Sequence, residues 1–313
     1  MSRTSAESSL TSPSPAYNPW KLGDLPFKEL IRRLWHQIQK DELLGRAAQL
    51  SYYILLALFP ALIFLTALMG FFSVGEFMPQ LMGYAKNVLP EDALSMVERF
   101  LTQVAQGAGT NILSFGVLAT LWWSSSGVVA IMEALNVVYD VKEDSRPFWK
   151  VRLISIALTL ALAGFVMLSL TLVLYGPGIG TWIADFVGLG PLFVFAWNVL
   201  QWPVVVLLML FVVGVLYYFC PDIDQDWRWV SPGSAFAVFM WLVVSLGFKL
   251  YVDNFGDYNK VYGSIAGVVV LMLWLYWSGM VLLVGGEINA EIEHAATERQ
   301  QGAGETTDDR QAA

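Results

Sequence analysis

The stretch VYGSIAGVVVLMLWLYWSGMVLLVGG, from Val261 to Gly286, decides the class of fold. It holds no charged residue over 26 positions. As a helix rising about 1.5 Å per residue it reaches about 39 Å, more than the roughly 30 Å hydrocarbon core of a bilayer. The stretch is therefore a membrane span. Polar brackets flank it: Asn254, Asp257, Tyr258 and Lys260 before, Glu287, Asn289 and Glu291 after. Near its start Gly263 and Gly267 stand at the G-x-x-x-G spacing that lets two helix backbones approach, and they read as a helix contact.

The rest of the chain agrees with an integral membrane protein. Of 313 residues 56% are apolar and only 14% charged, where a soluble domain carries about 25% charged. Before residue 47 no apolar run is long enough for a signal peptide, so insertion is expected to begin at the first true span. Lone Cys220 offers neither a disulfide nor a thiolate pair for a metal.

In chain order, residues 1–24 read as a disordered tail, poor in large apolar residues. From Phe27 to Lys40 apolar positions recur at helical spacing, with Lys28, Arg32 and Arg33 on other faces. This predicts a basic amphipathic helix on the cytoplasmic leaflet, or one packed on the bundle. Six spans follow, over about 47–73, 112–139, 153–175, 192–219, 229–250 and 261–286. Pro60 is expected to kink the first, and Gly176-Pro177-Gly178 to stop the third. Between the first two spans, Val74 to Gln106 reads as short amphipathic helices on the outer face. The membrane domain covers 25–294, and an acidic disordered tail occupies 295–313. The fold class is thus all-α: a polytopic membrane protein of six transmembrane helices plus amphipathic interfacial helices.

Lysine and arginine set the orientation. The segments on the side of both termini hold 14 of them and the opposite connections hold 4, which places both termini in the cytoplasm.

Three motif groups resemble one family. They are Arg46-Ala-Ala-Gln-Leu-Ser-Tyr-Tyr53 leading to Phe59-Pro60; Val138-Tyr139 through Ser145-Arg146-Pro147-Phe148-Trp149; and Asn254-Phe255 through Val261-Tyr262-Gly263-Ser264 to Gly286-Glu287-Ile288-Asn289-Ala290. Their order and spacing resemble the YihY/virulence factor BrkB family of bacterial inner-membrane proteins, over about residues 25–295. The resemblance implies six spans with cytoplasmic termini, and membrane lipids as partners. It links members to serum resistance and one branch to movement of lipid A precursors, which makes a lipid-like substrate the expectation. It also brings an older label, ribonuclease BN, regarded as a misassignment.

Enzymatic signatures are scarce. G-x-x-x-x-G-K-[ST] and H-E-x-x-H are both missing. Asp222-Ile-Asp224-Gln-Asp226 suggests a calcium loop, but Trp227 stands where that loop needs Gly and Gly233 where it needs Glu. No cofactor or metal is expected. For want of clustered carboxylates and a basic track, the ribonuclease reading is rejected on the residues, and no nucleic-acid partner is expected.

The polar candidates lie at the span ends. Glu133 and Asn136 share a helical face near the cytoplasmic end of span two, and an unpaired carboxylate there costs a few kcal/mol. Arg46 and the Lys142 to Arg152 group are its candidate partners. The site serves either a substrate or proton, or an ion pair locking two helices. Ser124, Ser125 and Ser126 read as a place where the backbone opens toward a cavity, or where a helix packs close. Glu287 and Glu291 form a like-charge pair that needs a cation from Arg46 or Arg146, with Asn289 beside them. Asn254, Asp257, Tyr258 and Lys260 form a candidate outer mouth. The sequence supports a transporter or flippase for an amphiphilic substrate, passive or ion-coupled. The alternative is a non-transporting scaffold or envelope-assembly partner. A continuous cavity from Ser124 to Glu133 discriminates them.

Overall fold

The computed structural model describes residues 19–71, 112–188, 190–225, 227, 229–254 and 264–311. Among the described residues there is no strand. A short 3-10 helix, Pro19–Asp24, precedes α1 (Phe27–Lys40). Six long helices follow: α2 (Leu43–Phe71), α3 (Ile112–Val138), α4 (Phe148–Val187), α5 (Pro191–Phe219), α6 (Pro232–Asn254) and α7 (Ser264–Gln311). All six are long and apolar enough to cross a membrane. The expected outer-face helices, the outer-mouth residues Asp257, Tyr258 and Lys260, and Gly263 lie outside the described residues, as does the side chain of Asn254.

The six helices close a ring. Each packs on the next in chain order, and α7 returns to α2, while α7 also touches α3 across the middle. Local chemistry sets the ends. The elbow from α1 to α2 is only Asp41-Glu42, with Glu42 in the left-handed region at φ 51°. Arg46 steadies it by donating from Nε to the Asp41 carbonyl at 2.9 Å. The α3 end turns at Asp140 (φ 54°), a residue type that tolerates this backbone. Gly188 (φ 75°) ends α4 as a left-handed cap.

Two expected boundaries are corrected. Gly176-Pro177-Gly178 does not stop the third span, because α4 runs on to Val187. Its glycines serve a neighbour: a Cβ at Gly176 would strike Gln201, and one at Gly180 would strike Trp197, both on α5. The Trp197 indole N–H donates to the Gly176 carbonyl at 2.7 Å. Likewise α7 does not give way to an irregular tail at 295, but continues to Gln311. Ala295 and Ala296 are buried, and Gly23 of the 3-10 helix lies close against Ile292 and Ala295.

That extension, α1, and the loops 139–147 and 220–231 gather at one end of the ring, called the basal end below. Leu30 of α1 packs on Ile288 and Ile292 of α7. Arg33 bonds Glu298 at 3.2 Å, and Lys40 bonds Asp140 at 3.0 Å. Fully buried Leu43, Leu50, Leu135, Val138 and Leu283 form the core just inside this end. Gly127 meets Ala57 and Gly279 meets Leu50 at near-contact distance, so small residues draw α2 against α3 and α7.

Candidate functional site

The basal end holds the polar chemistry, in three clusters. The first is built where the loop after α3 meets the loop after α5. Asn136, in the last turn of α3, donates to Asp144 Oδ2 at 3.0 Å and accepts from the Asp222 N–H at 2.8 Å. Arg146 grips Asp144 with two bonds, Nε to Oδ1 at 2.9 Å and Nη2 to Oδ2 at 2.7 Å. It also donates to the carbonyls of Phe219 (3.3 Å) and Cys220 (2.9 Å), two of the carbonyls left open at the end of α5. Asp222 lies 3.4 Å from the same guanidinium and accepts from Ser145 N and Oγ at 2.7 and 2.6 Å. The Arg146 guanidinium, bonded to Asp144, holds that carboxyl down at about 2, and the same bond raises Arg146 above its ordinary value. Every member is bonded, which makes this cluster a lock between α3, α4 and α5.

In the second cluster Asn289 of α7 caps the start of α6. Its Oδ1 accepts from Gly233 N–H at 2.9 Å, and its Nδ2 donates to Ser231 Oγ at 2.9 Å. Ser231 and Ser234 exchange backbone-to-hydroxyl bonds at 2.9 and 3.1 Å. Gly233 is required, because a Cβ there would collide with the Gly285 carbonyl and with Asn289.

The third cluster is unsatisfied. Glu287 on α7 has 0% exposure, and neither carboxylate oxygen has a hydrogen-bond partner among the described residues. Asp41 (8%) and Glu291 (6%) are buried too, and Asp41 Oδ2 and Glu291 Oε2 are likewise without a bond. The charges whose field reaches Glu287 are Asp41, Glu291, Asp140 and Lys40. The cation expected from Arg46 or Arg146 comes from neither. Arg46 serves the Asp41 carbonyl and Arg146 serves Asp144, while Arg33 of α1 stands 3.9 Å from Glu291. Asp41 and Asp144 carry no sequence signal because each lies in a short polar turn that resembles ordinary loop solvation, and Asp222 stands out in the sequence only as part of a poor calcium-loop match.

Glu133 behaves otherwise than its sequence position suggests. It is exposed, and it lines a pocket of about 40 Å³ with Arg46, Gln49 and Tyr53, yet makes no ion pair within 4 Å among the described residues. That volume holds about three waters at about 10–15 Å³ each, too little for an amphiphile. Glu133 and Asn136 do not work on one face: the first looks out, the second in. The serine run does not open the helix. Ser124 and Ser125 are buried and donate to the carbonyls of Leu121 and Trp122, while Ser126 accepts from Arg152 at 3.3 Å. The pocket that holds Glu133 is lined by residues of α2 and by Ala130 and Ala134 of α3, and Ser124 is not among them. Gly267 makes no helix contact among the described residues, since nothing lies within 4 Å of a Cβ at that position.

Larger spaces lie elsewhere among the described residues. An apolar cleft of about 210 Å³ runs between α4 and α5, walled by Leu158, Leu162, Phe165, Leu208, Val212 and Val215. A polar groove of about 460 Å³ lies between α1 and the α7 extension, with Arg32, Arg33, His36, Glu291, His294 and Glu298. Among the described residues no three His, Cys, Asp or Glu converge to hold a metal ion.

A closed ring of six apolar helices with a polar layer at one end is the architecture of a polytopic membrane protein. A family model described as virulence factor BrkB matches residues 34–310, and the chain belongs to that family. The ribonuclease-like protein YfkH of Bacillus subtilis is 38% identical over 83% of this chain and 94% of its own length. UPF0761 membrane proteins of Tolumonas auensis and Stenotrophomonas maltophilia are 27% and 26% identical, each over 83% of this chain. The match spans 83% of the Tolumonas protein and 60% of the Stenotrophomonas one. No solved structure matches the chain. The YfkH name overturns one expectation: the rejection of a ribonuclease on sequence grounds does not stand. A missing motif cannot exclude a centre assembled from side chains far apart in sequence.

Proposed function

We propose that this BrkB-family protein lies in the bacterial inner membrane with its basal end in the cytoplasm, and moves an amphiphilic, lipid-like substrate between the leaflets. The orientation rests on the excess of Lys and Arg in the segments that the fold gathers at the basal end. The carrying observation for the substrate is the α4–α5 cleft. Its walls are apolar, and Ala161, Gly164, Leu168 and Phe211 are exposed at its mouth on the outside of the ring, where lipid lies. Its volume suits part of an acyl chain. A non-transporting scaffold is the second reading, favoured by Ser124 and Ser125, which bond back to their own helix, and by the fully bonded Asn136–Arg146 lock.

The test is reconstitution in vesicles with labelled phospholipid, with and without a proton gradient. Movement above protein-free vesicles is expected, and Ala161→Trp, which fills the cleft, should abolish it. No movement under either condition overturns the reading. A parallel incubation with labelled RNA addresses the ribonuclease-like name of the Bacillus relative. Cleavage by the wild-type protein would redirect the assignment toward an enzyme.

A further inference from the structure

Three carboxyl groups, Asp41, Glu287 and Glu291, are each more than nine-tenths buried, and four of their oxygens have no donor among the described residues. An ionised carboxylate taken out of water without a partner costs several kcal/mol. Two such groups acting on each other do not both stay ionised, because the cheaper state holds a proton. The charged surroundings do not offset this. From α1 comes Lys40, 48% exposed and already bonded to Asp140. From α2 comes Arg46, engaged with the Asp41 carbonyl. The loop after α3 adds the acidic Asp140, and α7 adds Glu291 with Arg33 at 3.9 Å. His36 of α1 acts on Asp41, His294 and Glu298 of α7 act on Glu291, and Tyr139, and Tyr217 of α5, belong to the packing around this part of α7. Among the described residues no three metal-binding side chains converge here, and a proton neutralises a buried carboxylate without needing further ligands.

We propose that Glu287 is a proton-binding site, exchanging with the basal aqueous face through Asp41 and the surface pair Asp140–Lys40. The geometry supplies the route. Glu287 is enclosed, Asp41 lies at the α1–α2 elbow with slight exposure, and Asp140 stands at the surface with 41% of its side chain exposed. Burial pushes the Asp41 carboxyl above its ordinary range, as a relay between an enclosed site and water needs. Coupling of this proton to substrate movement rests on the transport reading above; the site itself does not.

Infrared spectroscopy of the purified full-length protein at neutral pH tests the site. A carbonyl band of a protonated carboxylic acid is expected in the wild type, with a component lost in Glu287→Gln and retained in Glu291→Gln. Absence of the band in the wild type, or a band unchanged in Glu287→Gln, overturns the proposal. Should Glu287→Gln fail to accumulate, Asp41→Asn decides: it should slow hydrogen–deuterium exchange of the band, and an unchanged rate overturns the route. In vesicles, phospholipid movement indifferent to a proton gradient overturns the coupling role. No movement at all sinks the transport reading and leaves the band to decide the site.

Discussion

Replacing Arg146 by methionine removes the centre of the basal lock while keeping a similar volume. The side chain is 5% exposed and its partners Asp144 and Asp222 are 27% and 18% exposed, so solvent replaces little of what is lost. The variant forfeits two bonds to Asp144 and the contact with Asp222, and it strands the carbonyls of Phe219 and Cys220 at the end of α5. Breaking one side of a buried ion pair costs about 3–5 kcal/mol, mostly from the charge left behind. The remaining bonds to Asp144, from Asn136 and the Arg146 N–H, and to Asp222, from Ser145, place the loss toward the lower end of that range. Arg146→Lys should recover part of it, since an ammonium keeps the charge but cannot reproduce the two-bond grip on Asp144. Urea unfolding of the purified protein in mild detergent, followed by tryptophan fluorescence, reads the difference. Acid adds a second signature. Asp144 is held near 2 against an ordinary 3.8, so its contribution is fully present above 3.8 and is lost as pH falls toward 2. That acid-side loss should shrink in Arg146→Met. A methionine variant as stable as the wild type, or a lysine variant indistinguishable from it, would refute this account of the lock.

Gly233→Ala should lower stability by about 1–3 kcal/mol, as overpacking against Gly285 and Asn289 does, whereas Gly267→Ala should be neutral or slightly stabilising; the same unfolding assay compares them. Asp41→Asn should flatten a pH dependence. With the Asp41 carboxyl raised by burial, its contribution is complete below the unfolded value near 3.8 and lost as pH rises through the folded one, which thermal midpoints from acid to neutral pH will trace. Glu133→Gln should change stability by no more than about 0.5 kcal/mol, because the residue is exposed and has no ion pair within 4 Å among the described residues; membrane abundance by immunoblot checks this.

What the sequence determined by itself is the number of spans and the class of fold. A bilayer imposes a minimum apolar length on any helix that crosses it, and that length is written directly in runs such as Val261 to Gly286. The family was legible for a related reason, since its motifs are short and local, around Arg46, Arg146 and Glu287. Only the tertiary structure decided which polar residues matter together, because that depends on helical phase against a neighbour. Glu133 and Asn136 are three positions apart, yet one faces outward and the other is sealed among Asp144, Arg146 and Asp222. Gly176-Pro177-Gly178 carries the chemistry of a helix stop, but the α5 residues Trp197 and Gln201 pack against it and the helix continues. Glu287 was legible as a residue at a span's end. Its enclosure was not, because the groups that surround it arrive from the α1–α2 elbow, the end of α3 and α5, hundreds or tens of positions away in the chain, and only packing brings them there.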